Sequence, residues 1–149
     1  MKLPSQFTMN KLVLFSVLVV QVFSVMDPKD ISPALKQLMI DLHAECGLIS
    51  GATDQQIDAV RHGDFNIGIE MKRYIGCIWL HSGVMNGTGH ANTDFLISLE
   101  PPKLKGKFHK YLVECVEELN RSTEPDYLQK LVNAEICYYN KDPEHFMFP

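Results

Sequence analysis

Four cysteines carry the reactive chemistry of this 149-residue chain: Cys46, Cys77, Cys115 and Cys137. A thiol can be a metal ligand, a nucleophile, half of a disulfide or a small buried apolar group. Zinc sites bring their cysteines in close pairs, and these four lie 31, 38 and 22 positions apart, so no metal is expected. An even number of cysteines in a small exported chain reads as two disulfides. Four cysteines allow three pairings, and spacing alone does not choose among them. Cys77 sits in "EMKRYIGCIWLHSGVM", among Tyr74, Ile75, Ile78, Trp79 and Leu80. Six histidines are scattered as His43, His62, His81, His90, His109 and His145, and each reads as a surface or helix-flank residue. No H-E-x-x-H or G-x-S-x-G motif occurs, so no catalytic residue and no cofactor is assigned.

The redox reading depends on export, which the first residues address. Lys2 and Lys11 precede the apolar run "LVLFSVLVVQVF", which ends in small or polar residues around Ser24. That order makes residues 1–24 a secretory signal peptide cut after Ser24, with Met9 as an alternative start. The apolar run is shorter than the roughly 20 residues of a membrane span. Residues 25–149 form one domain. The leader holds two lysines and no acid, so its removal takes the net charge from −4 to −6. An acidic chain without a basic cluster argues against nucleic acid or anionic membrane as partner.

Helices must position the cysteines. Ser32-Pro33 is an N-cap and first-turn pair. Leu35, Leu38, Met39, Leu42 and Cys46 then recur at helical spacing, with Gly47 as the expected stop. Thr53 and Gln56 form a capping box for a short helix that ends at Gly63. A helix over Glu70–Ser82 follows, then a turn at Asn86–Gly89. A short helix is expected over Asn92–Leu99. The stripe Leu104, Phe108, Tyr111, Leu112, Cys115 and Leu119 marks a helix over Lys103–Asn120. Another runs over Asp126–Tyr139 through Leu128, Leu131, Val132 and Cys137. The ending "DPEHFMFP" is too apolar for a frayed tail. The expected fold is all-α: a compact bundle of five to seven short helices around an apolar cavity, with two disulfides.

The order of cysteines resembles that of the insect odorant-binding proteins, the pheromone and general odorant-binding family. That family carries six. Aligning Cys46, Cys77, Cys115 and Cys137 with the first, third, fourth and sixth puts Arg73 and Leu128 at the second and fifth. The two missing cysteines are bonded to each other in the family, so this chain looks like the four-cysteine "minus-C" subgroup. "DQQIDAVRHGDF", "KRYIGCIWLHSGVMNGTG" and "CYYNKDPEHFMFP" also resemble family segments. The resemblance implies the pairs Cys46–Cys77 and Cys115–Cys137. It makes Cys77 a structural half-cystine that ties its helix to the first.

The expected function is a secreted, extracellular carrier that reversibly binds small hydrophobic molecules, such as odorants, pheromones or other lipophilic ligands. Candidate ligand contacts are Trp79, Tyr111, Leu112, Val116, Phe146, Met147 and Phe148, the last three as a tail folded over the opening. His145, beside that tail, is the candidate pH switch. Asn86 and Asn120 begin N-glycosylation sequons. Partners would be the ligand and a membrane receptor in sensory tissue, with the protein a monomer or weak homodimer. The rival readings are a secreted interaction protein without a cavity and a small secreted hydrolase.

Overall fold

A computed structural model describes residues 30–149 of the chain, with the side chains of 107 and 108 outside that description. The leader expected at residues 1–24 and the side chain of Phe108 therefore lie outside the described residues. Six α-helices follow in order: α1 (Pro33–Ser50), α2 (Asp54–Arg61), α3 (Ile69–His81), α4 (Thr93–Ser98), α5 (Lys107–Arg121) and α6 (Tyr127–Lys141). Short 3-10 turns cover Pro102–Leu104 and Pro143–His145. The described residues contain no strand beyond one antiparallel bridge between Met85 and Ala91, and no described helix is long and apolar enough to cross a membrane.

Local chemistry sets the helix ends. Ser32 caps α1 by accepting the Leu35 N–H at 3.2 Å, with Pro33 in the first turn. Thr53 and Gln56 form a reciprocal capping box at α2, satisfying two orphan amides at once. Asn92 caps α4 and Asp126 caps α6. The Gln129 amide, first among its partners, holds the Asp126 carboxyl below its usual range.

The expected stop at Gly47 gives way to a later one. Helix α1 continues through Gly47 to Ser50 and ends at Gly51, which has φ +75° and returns its N–H to the Gly47 carbonyl. A glycine inside a helix costs about 1 kcal/mol relative to alanine, whereas a left-handed C-cap strongly favours glycine. The second glycine therefore carries the termination signal.

Helix α3 runs through the centre, packed against α1 on one side and α6 on the other, while α5 packs on α6 and α4 on α5. The disulfides follow the same contacts. Cys46–Cys77 joins α1 to α3 with Cα atoms 5.6 Å apart, and Cys115–Cys137 joins α5 to α6 at 5.8 Å. Both separations suit a disulfide, and each bridge contributes about 2–4 kcal/mol by restricting the unfolded chain. Lys141 Nζ meets Glu114 Oε2 at 2.7 Å across α5 and α6.

The core is continuous from Met39 and Leu42 on α1 through Met71, Tyr74 and Ile75 on α3 to Leu131 and Val132 on α6. Gly76 of α3 leaves room for Leu128 of α6. A Cβ there would lie 2.6 Å from Leu128 Cδ2.

Candidate functional site: an apolar cavity with one carboxyl

Apolar side chains from five helices and the tail converge on a cavity of about 130 Å³. Helix α1 contributes Leu35, Leu38, Met39 and Leu42, and α3 contributes Ile78, Trp79 and, just beyond its end, Ser82. Helix α5 adds Leu112, Cys115 and Val116, and α6 adds Ala134, Glu135 and Tyr138. Leu96 and Leu99, Val84, Met147 and Pro149 complete the wall. A largely apolar space of this order has room for a guest of about benzene size. Longer guests require the wall to yield.

Of the residues expected to touch ligand, Trp79, Leu112, Val116 and Met147 are in this lining. Tyr111 is half-buried on α5 and outside it, and Phe146 and Phe148 lie behind it. The tail is extended, and extended backbone sends alternate side chains to opposite faces. Met147 and Pro149 reach the cavity. Phe146 and Phe148 point the other way, stacked on each other with ring centroids 5.8 Å apart. Phe146 also packs on Tyr138 and Tyr139, and Phe148 on Tyr74.

Polar bonds fasten this tail. The buried Tyr74 hydroxyl donates to the Pro149 oxygen at 2.7 Å and lies 3.1 Å from His43 Nδ1. Burial raises the Tyr74 hydroxyl far above the usual tyrosine range, which keeps it a donor. Arg61 Nε donates to the Phe148 carbonyl at 3.1 Å. His145 sits outside the lining, its Nδ1 2.9 Å from both Asp142 carboxylate oxygens.

Glu135 is the feature that the sequence reading did not single out. It is 8% exposed, and its Oε1 accepts the Trp79 indole N–H at 2.8 Å. Burial pushes its carboxyl up to about 7, with the Trp79 bond acting in the opposite direction. The signal was in the stripe: Glu135 stands three residues after Val132 and four after Leu131, a spacing that places it on the apolar face of α6.

The two sequons differ in their surroundings. Asn120 is tied to Ala91, accepting its N–H at 3.0 Å and donating to its carbonyl at 3.3 Å. Asn86 is exposed, and its oxygen accepts from Thr88 and His90. Among the described residues no group of three or more His, Cys, Asp and Glu side chains is placed to hold a metal.

The model of the PBP/GOBP family matches residues 28–141. The chain belongs to that family. Solved odorant-binding proteins share the fold of this PBP/GOBP member. Apis mellifera odorant binding protein 5 superposes with a TM-score of 0.65 at 23% identity, covering 78% of this chain and 95% of its own. Odorant Binding Protein 4 of the predator Chrysopa pallens gives 0.63 at 20% identity, covering 79% and 98%. No curated protein matches the chain. Four cysteines in two bridges place this PBP/GOBP protein with the minus-C subgroup.

Proposed function

We propose that the protein is a secreted carrier that takes small hydrophobic molecules out of water and releases them again. The cavity between α1, α3, α5 and α6 carries this reading, supported by membership of the PBP/GOBP family. Burying apolar ligand surface gains about 25 cal/mol per Å², and micromolar binding needs only about −8 kcal/mol. Trp79, Leu112, Val116 and Met147 would touch the guest. Tyr111, Phe146 and Phe148 would act indirectly, by holding the elements that do. The hydrogen-bonded tail would be the part that yields as ligand enters, with His145 its candidate pH-responsive contact. Residues 1–24 would direct export, into the oxidising surroundings that two disulfides suit. A receptor in sensory tissue would then be a downstream partner of the loaded carrier.

Titration with N-phenyl-1-naphthylamine tests the reading. Saturable fluorescence enhancement at micromolar protein, reversed by small apolar competitors, is expected. Absence of uptake would favour a surface-acting role, which one observation supports: Leu48 and Ile49 on α1 are 88% and 59% exposed. Turnover of ester substrates would favour the hydrolase instead.

A further inference from the structure

Among the described residues, Glu135 supplies the only acidic side chain in the cavity wall, and no lysine, arginine or histidine lines it. The groups facing it are almost all apolar. Helix α1 offers leucines and Met39, α5 offers Leu112, Val116 and the disulfide-bonded Cys115, and the tail offers Met147 and Pro149. From α3 come the Trp79 indole, which donates to Glu135, and Ser82, whose hydroxyl donates to the Trp79 carbonyl at 3.2 Å and accepts the Val84 N–H at 3.3 Å. On α6 itself, Tyr138 directs its hydroxyl to the His145 carbonyl at 3.4 Å. A carboxylate in such a setting would have one hydrogen bond and no counter-ion, which is costly in low dielectric. The neutral acid has a different character. Its oxygen is satisfied by the indole, and its O–H remains to be given to something in the cavity.

We propose that Glu135, oriented by Trp79, is the polar anchor of the cavity. In its protonated form it donates a hydrogen bond to an acceptor oxygen, as in a ketone or ester, of an otherwise apolar guest, and it disfavours guests bearing a carboxylate. This rests on the carrier reading. Burial raises the carboxyl to about 7, so the donor is present in acid and lost in base. The anchor selects by head group, while the apolar wall sets affinity for the tail. Trp79 is a positioning residue: its N–H fixes which oxygen is free.

The test is displacement of N-phenyl-1-naphthylamine by decane, a decanone, decanoate and decylamine. It uses the wild type, Glu135→Gln and Glu135→Leu at about pH 5 and about pH 9, on either side of the raised carboxyl range. In the wild type the decanone should bind about threefold to tenfold tighter than decane at the lower pH, as one net hydrogen bond allows. That preference should vanish at the higher pH, where decanoate should be the weakest guest. Glu135→Gln, whose amide still donates, should keep the preference at both pH values. Glu135→Leu, which leaves only the Trp79 indole N–H as a donor there, should lose the pH dependence of the preference while decane still binds. An oxygen preference that ignores pH in the wild type, or that still depends on pH in Glu135→Leu, overturns the proposal, as does decylamine as the tightest guest at the lower pH. If decane binds without any preference for oxygen, the anchor fails and the carrier stands. If no guest displaces the probe, both fall.

Discussion

Leu128 of α6 packs its Cδ2 into the space that a side chain at Gly76 of α3 would occupy, 2.6 Å from the Cβ position. The cysteine order of the sequence would put Leu128 at the fifth position of the six-cysteine pattern. Its partner position, Arg73, is exposed one turn before Gly76. The α3–α6 contact is thus made by an apolar side chain seated on a glycine, without a covalent tie.

Gly76→Val should therefore lower stability by about 1–3 kcal/mol through overpacking. Leu128→Ala should cost about 1–2 kcal/mol, at or below the low end for a leucine truncation because the residue is half-buried. The double variant should be milder than the sum, since the two share one contact. Urea unfolding of the four proteins checks this. Strict additivity would show that the pair does not interact.

Glu135 makes stability depend on pH in a specified direction. Its folded value is raised from 4.5 to about 7, so the folded state holds a proton that the unfolded chain releases. Stability should be unaffected by this group below about pH 4.5, fall as pH rises towards about 7, and stay lowered above it. The full loss is about 3 kcal/mol, from 1.36 kcal/mol per pKa unit. Glu135→Gln cannot ionise, so its stability minus that of the wild type should grow across that window. Denaturation series at several pH values report the difference directly. A flat difference would mean the carboxyl titrates normally.

The tail is a packed element. Phe148→Ala removes a fully buried ring and should cost about 3–5 kcal/mol. Tyr74→Phe keeps the ring but leaves the Pro149 oxygen and His43 without their hydroxyl partner, for about 1–3 kcal/mol. Both should speed ligand exchange, because Met147 and Pro149 leave the wall when the tail loosens. Thermal melts and stopped-flow probe release measure the two effects. Faster melting with unchanged exchange would separate the tail from the cavity.

Glycan attachment should discriminate between the sequons. Oligosaccharide transfer requires the asparagine nitrogen, and that of Asn120 donates to the Ala91 carbonyl. Asn86 should accept a glycan in secretory expression and Asn120 should not. Peptide mapping by mass spectrometry decides it, with occupancy at Asn120 alone as the contrary result.

The helices were legible because their signals are local. Ser32-Pro33, the Thr53/Gln56 box and the stripe of α5 each act within a few residues. The stop at Gly47 was misplaced because glycine type alone does not report φ, and Gly51 adopts the left-handed conformation. The cavity wall was only partly legible. Leu35, Leu38, Met39 and Leu42 follow the same period whether they line a void or fill a core, and the tail's alternation depends on its being extended. Glu135 was readable in principle as an acid on an apolar stripe. Its partner, Trp79, lies 56 residues away on α3, so their bond appears only once the helices are packed.

Ligand is proposed to occupy the void between α1, α3, α5 and α6. Leu38→Trp, which would fill that void from its half-buried edge, tests it most directly against Leu48→Asp on the exposed face of α1. With both variants folded and both disulfides formed, N-phenyl-1-naphthylamine affinity should fall at least about tenfold in Leu38→Trp, about 1.4 kcal/mol, and stay at the wild-type level in Leu48→Asp. Unchanged affinity in Leu38→Trp together with loss in Leu48→Asp would put binding on the surface and contradict the account.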